Sequence, residues 1–229
     1  MQIFKSALLK FVSLVFFSNT NVLAAEINNT ITLTSDYLFD GASQTDSGPA
    51  LQFSSTISLK SGFYAGIWAS NVDFSPTYPS EIEIDYILGY GRTLNENAYL
   101  DLGAAHYTYS TIPSPGYDFT ELYANYIFKN RTTFSLYLAD NTAALNGFAY
   151  RFKVSHLEPL RNNYSLALEA TYIDQKDNNF SWFHYKLGIV KTLDSFQWNL
   201  SYQNTNIGNN SDPYNRADGR VVMGLVYSF

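Results

Sequence analysis

Every second residue from Val221 to Phe229 is apolar: Val221, Met223, Leu225, Tyr227 and Phe229 in the stretch GRVVMGLVYSF. That spacing is the period of a strand with one face in an apolar medium. A soluble chain closing on such a strand exposes a sticky, unpaired sheet edge. An outer-membrane β-barrel does not, because its last strand pairs with its first. An alternating strand ending in Phe229, with Tyr227 two residues earlier, also resembles the signal by which bacterial barrel proteins reach their assembly machinery. Tyr227 and Phe229 are therefore expected to carry that signal. A soluble sandwich whose last strand happens to alternate is the competing reading.

The chain opens MQIFKSALLKFVSLVFFSNTNVLAAE, with Lys5 and Lys10 ahead of an apolar run and Val22-Leu23-Ala24 as a small-residue cleavage pattern. This reads as a secretory signal peptide over residues 1–24, too short and wrongly flanked for a membrane helix. Cleavage after Ala25 is the second choice. With no Cys, neither a lipoprotein signal nor a disulfide framework is expected. The barrel domain would then be 25–229. Its 14 Lys and Arg, less Lys5 and Lys10, leave 12 against 20 Asp and Glu, a net charge near −8. That balance argues against nucleic acid as a partner. The chain carries 19 Tyr, 17 Phe and 3 Trp, yet no apolar run reaches the ~20 residues of a membrane helix. Many aromatics, alternation and modest hydropathy suit a barrel with lipid outside and water inside.

Read for alternation, the chain gives about twelve segments starting near Thr30, Pro49, Phe63, Ile82, Ala98, Tyr117, Thr132, Gly147, Tyr164, Ser181, Ser195 and Gly219. The second is the cleanest, with Leu51, Phe53, Ile57 and Leu59 against Gln52, Ser54, Thr56 and Ser58. The third and fifth are ambiguous, since both faces carry apolar residues. Tight turns at Ser61-Gly62, Asn95 to Asn97, Lys129 to Arg131 and Leu193-Asp194, with a slightly longer one at Glu158 to Asn162, alternate with longer polar loops. Those loops run Asp40–Gly48, Asp73–Ser80, Ser110–Gly116, Asp140–Asn146, Asp174–Asn179 and Asn204–Asp218. Short periplasmic turns facing long outside loops are the pattern of outer-membrane barrels, and an even strand count puts both ends in the periplasm. A sandwich has no reason to sort its loops so. The fold expected is therefore an all-β, transmembrane, antiparallel up-and-down barrel of about twelve strands in the bacterial outer membrane. Tyr37, Trp68, Tyr90, Tyr99, Tyr107, Tyr109, Tyr117 and Trp182 lie near strand ends, where interfacial girdles belong.

The segments SDYLFDGASQTDSGPALQ (Ser35 to Gln52), SGFYAGIWASNVDF (Ser61 to Phe74) and EIEIDYILGYG (Glu81 to Gly91) resemble the Gcw-chp family of proteobacterial conserved hypothetical proteins. Beyond Gly91 the resemblance is one of rhythm. It implies a secreted, outer-membrane protein and supplies no activity. Asp40 stands where the resemblance leads one to expect Arg before the Gly, so an ion pair made by that Arg inside the barrel would be lost here.

Charges facing lipid at mid-depth cost about 2–4 kcal/mol for Arg or Lys, which directs them to the lumen. Glu83, Asp85, Asp101 and Glu121, beside Tyr123 and Asn125, form one group; Arg151, Lys153, Glu169, His184 and Lys186 form another. In a ring of about twelve strands the two groups are expected roughly across from each other. An acidic wall facing a basic one sets a transverse field that orients polar solutes. Alternatively the groups pair and plug the interior. Between field and plug the sequence does not choose.

Enzymatic readings are thin, and no cofactor or metal is expected. The histidines are His106, His156 and His184. A barrel phospholipase needs a Ser–His pair on adjacent strands, and no Ser falls within Ile82–Gly91 or Tyr117–Phe128 beside His106. Asp36, Asp40, Asp46 and Asp73 could gather oxygen ligands for Ca²⁺, but their spacing fits solvated turns better. The Asn204–Asp218 loop could fold inward as a constriction or serve surface recognition; its composition also suits disorder. The function expected is that of a narrow, porin-like passive channel for small polar solutes, not an enzyme. Its partners are outer-membrane lipid and the barrel-assembly machinery. The alternative is a non-conducting barrel with a structural or surface-binding role.

Overall fold

A computed structural model of the protein describes residues 25–76, 78–110, 118–142, 145–208 and 216–229. The expected signal peptide over 1–24, Tyr117 and residues 209–215 of the Asn204–Asp218 loop lie outside the described residues. Twelve antiparallel strands close into a barrel. They are β1 (Glu26–Thr34), β4 (Ala50–Ser58), β5 (Phe63–Phe74), β6 (Tyr78–Asn95), β7 (Ala98–Tyr109) and β8 (Phe119–Phe128), then β9 (Thr132–Thr142), β10 (Leu145–Pro159), β11 (Tyr164–Gln175), β12 (Phe180–Leu193), β13 (Phe196–Thr205) and β14 (Arg220–Ser228). Two short strands, β2 (Leu38–Phe39) and β3 (Ala42–Ser43), form a separate hairpin. Each barrel strand pairs with its neighbour in sequence, and β14 returns to β1 with Thr30 opposite Ser228 and Thr34 opposite Gly224. Closure removes the sheet edge that the alternating last strand would otherwise expose.

Burial follows the alternation, with the hydrophobic face turned outward. On β14, Val221, Met223, Leu225 and Tyr227 are exposed while Val222 and Val226 are buried. Leu33, Leu51, Leu88, Leu122 and Leu187 are exposed on other strands. A soluble monomer rarely shows contiguous apolar patches beyond a few hundred Å²; here the apolar surface runs around the barrel, as lipid requires. The ambiguity of β5 and β7 has a cause: their inner faces carry Val72, Phe74, Ala105, Tyr107 and Tyr109, which belong to an apolar cluster inside the barrel.

The two ends differ. At the end bearing Glu26 and Ser228, connections are tight: Lys129-Asn130 and Asn162-Asn163 both take positive φ at successive residues, the geometry of two-residue hairpin turns. At the other end some expected loops shrink, because strands keep pairing past the predicted boundary. Tyr78 pairs with Phe74, and Leu145 with Thr142, so the connections expected over Asp73–Ser80 and Asp140–Asn146 are mostly strand. A single 3₁₀ turn, Lys176–Asn178, joins β11 to β12.

Candidate functional site

The connection from β1 to β4 turns back into the barrel. It carries Tyr37, Leu38 and Phe39, too apolar for a solvated loop, followed by Asp40-Gly41, whose positive φ values (49° and 89°) turn the β2–β3 hairpin. Tyr37 packs edge-on against Trp68 of β5, and Phe39 against Tyr107 of β7. The base of the loop is tied by Asp36, which accepts from Ser43 Oγ at 2.6 Å, Thr45 Oγ1 at 3.1 Å and Arg220 Nη1 at 2.7 Å. Ser43 N donates to Arg216 O at 2.8 Å, and Asp73 N to Gln44 O at 2.7 Å. At the tip, a Cβ on Gly41 would collide with Thr205 Cγ2 and the His184 ring, so only glycine seats there.

Arg151 of β10 holds the tip. Its Nη1 donates to Asp40 Oδ2 at 2.7 Å and its Nη2 to Glu121 Oε1 at 2.5 Å. All three side chains are buried. The guanidinium also lies over the rings of Phe39 (4.6 Å) and Tyr137 (4.3 Å), which suits a planar, weakly hydrated cation. Trp182 Nε1 donates to Asp40 O at 3.1 Å. Asp40 therefore makes an ion pair of its own, with a cation of the wall.

Glu83, Asp85, Asp101 and Glu121 point into the barrel and are 1–3% exposed. Tyrosine hydroxyls cover them: Tyr109 donates to Glu83 (2.9 Å), Tyr64 to Asp101 (2.7 Å) and Tyr107 to Glu121 (3.2 Å). Asn125 Nδ2 donates to Asp101 Oδ2 at 3.0 Å. Asp85 Oδ1 is buried with no hydrogen-bond partner among the described residues. On the other group, Lys153 Nζ lies 3.6 Å and His184 Nδ1 3.7 Å from Glu169 Oε1. Lys186 stands directly opposite Glu169 in the β11–β12 register.

Two expectations change. The charged groups are not across from one another: their middle strands, β7 and β11, are four apart in a ring of twelve, and Arg151 touches Glu121 over the single intervening strand β9. Among the described residues the loop that folds inward is the first one; of the Asn204–Asp218 loop, Arg216 meets it by accepting from Ser43 N through its carbonyl, and its Nη2 donates to Ser75 O of the β5–β6 connection at 2.6 Å. Of the girdle residues, Tyr37, Trp68, Tyr107, Tyr109 and Trp182 serve the interior, and Tyr99 turns its hydroxyl over Gly91. Tyr90 lies against exposed Phe63 on the outer face. Asp36 and Asp40 are buried and hydrogen-bonded, contrary to the solvated-turn reading, while Asp46 lies 3.9 Å from Arg216. No group of three or more His, Cys, Asp or Glu among the described residues is placed to hold a metal. His106 faces outward, its Nδ1 2.9 Å from Thr120 Oγ1; His156 makes the same contact with Thr132, also at 2.9 Å. Tyr227 and Phe229 are exposed, their rings stacked.

Solved structures share this architecture. The KdgM porin superposes with a TM-score of 0.55 at 9% identity, covering 90% of this chain and 99% of its own. The NanC porin gives 0.54 at 9%, covering 89% and 99%. Outer membrane phospholipase A from Escherichia coli gives 0.51 at 14%, covering 88% and 96%. At such identities the likeness establishes the fold alone: a closed, twelve-stranded antiparallel β-barrel, the architecture of these outer-membrane proteins. A search of curated proteins gives no match. A family model described as "Bacterial protein of unknown function (Gcw_chp)" matches residues 20–223, and the chain belongs to that family.

Proposed function

We propose that the protein is a narrow, passive outer-membrane channel for small polar solutes, secreted with a signal peptide over residues 1–24 and delivered through the barrel-assembly machinery by its Tyr227/Phe229 strand. One observation carries the reading: an infolded, ion-paired loop narrows the barrel on one side and leaves charged groups on the other partly accessible. Lys153 and Glu169, on the far side of the lumen from Tyr37, keep 23% and 21% of their side-chain surface accessible. A loop that narrows a polar lumen sets a size limit on what crosses. Conductance of the refolded protein in a planar bilayer tests this; stepwise openings support it, and a well-inserted but silent barrel rejects it.

A non-conducting barrel is the second reading, favoured by the buried Asp40–Arg151–Glu121 cluster and the aromatic packing around it. An enzymatic role finds little support. The hydroxyl beside His106 belongs to Thr120, with no serine hydrogen-bonded to that ring among the described residues. His106→Ala is expected to leave lipid turnover in isolated envelopes unchanged; altered turnover would overturn this reading.

A further inference from the structure

The accessible interior is not an average of the whole lumen. The β2–β3 hairpin and the aromatic cluster cover the β5–β9 side, and with it the carboxylates Glu83, Asp85 and Glu121, each 2% exposed or less. What stays open lies along β10–β13, where a cavity of about 120 Å³ is lined by Ser155, Glu169, Lys186, Asn199 and Ser201 among others. Lys153 reaches the same carboxylate from β10. On that side two ammonium groups share one carboxylate, which His184 also approaches; Arg131 and His156 line the cavity too, and its other polar groups are hydroxyls and amides. Of the acids at the outer mouth, Asp36, Asp46 and Asp174 lie beside Arg220, Arg216 and Lys176. Exposed charges beyond a Debye length of about 8 Å are largely screened at physiological salt, whereas a charge lining a narrow passage is not.

From this asymmetry we propose that the passage prefers anions, and that its solutes are small organic anions bearing hydroxyl groups. Lys153 and Lys186 attract the carboxylate, and Ser155, Asn199 and Ser201 meet the hydroxyls. Glu169 keeps the two lysines from holding the anion too firmly to release it, as conduction requires. The proposal rests on the channel reading.

The test is the reversal potential of the full-length, refolded protein in a planar bilayer across a KCl gradient. Proteoliposome swelling in D-gluconate is compared with swelling in sorbitol, a six-carbon polyol without the carboxylate. The wild type is expected to favour chloride over potassium and gluconate over sorbitol. Combined Lys153→Gln and Lys186→Gln should lower the anion preference on the order of threefold per lysine, the factor a unit charge about 6 Å away exerts through water. Glu169→Gln should raise it. Glu83→Gln, altering a covered carboxylate, should leave it unchanged. A cation-selective wild type, or an open channel indifferent to both lysines, overturns the anion preference and leaves the channel reading intact. A barrel that inserts and conducts nothing overturns both.

Discussion

Arg151 is the residue on which most of the interior converges. It bridges Asp40 on the loop and Glu121 on β8, and stacks on Phe39 and Tyr137. Removing one member of a buried ionic cluster strands the others without compensation, typically at about 3–5 kcal/mol. Arg151→Ala is therefore expected to lower the urea midpoint by a corresponding amount and to raise single-channel conductance by releasing the tip. Arg151→Lys should recover only part of both, since an ammonium cannot reproduce a planar fork that bridges two carboxylates while stacked on two rings. Asp85 is the opposite case. It is a fully buried carboxylate with an oxygen lacking a hydrogen-bond partner among the described residues, so Asp85→Asn is expected to leave the unfolding midpoint unchanged or raise it. A clear loss of stability would show instead that the site favours the charged carboxylate.

The elements were largely legible before the structure. Period-two alternation located all twelve barrel strands, because one face must meet lipid at every position and the signal repeats in each strand. Boundaries slipped where strands ran past the lipid, as between Phe74 and Tyr78, since no medium forces alternation there. Alternation does not reveal the infolded loop. Its mark was present in Tyr37, Leu38 and Phe39, three apolar residues in a row within a polar connection, but a local pattern does not say what surface lies opposite. For the same reason the charged residues of the lumen could be assembled into groups while their mutual distances could not: strand order gives neighbours, and an inserted loop such as that of Asp40 adds contacts that order does not contain. Replacing both Tyr37 and Phe39 by Ser is expected to undock the hairpin. The double variant should conduct more than wild type and become open to limited proteolysis between residues 35 and 49, with the barrel still folded by its gel mobility without heating. If conductance and cleavage are both unchanged, the hairpin is not what narrows the lumen.

At the scale of the whole molecule, the protein is a hydrophobic exterior around a polar interior, and substitutions should sort by face. Leu122 is exposed on the outer wall of β8, next to buried Glu121. Leu122→Arg is expected to cost about 2–4 kcal/mol in unfolding from lipid vesicles, the price of an arginine at bilayer mid-depth. The position of the infolded hairpin also orders events in time. It follows the first strand, yet it rests on β10, β12, β13 and β14, through Arg151, His184, Thr205 and Arg220. A segment synthesised early has nowhere to dock until nearly the whole chain has assembled around it. Its contacts thus form after the rate-limiting step, and weakening them should quicken unfolding while leaving the folding rate alone. For Asp40→Asn, a folding limb superimposable on wild type and an unfolding limb raised in parallel is the expected kinetic record. The hairpin is then a late seal, one that can seat only in a barrel that has already closed.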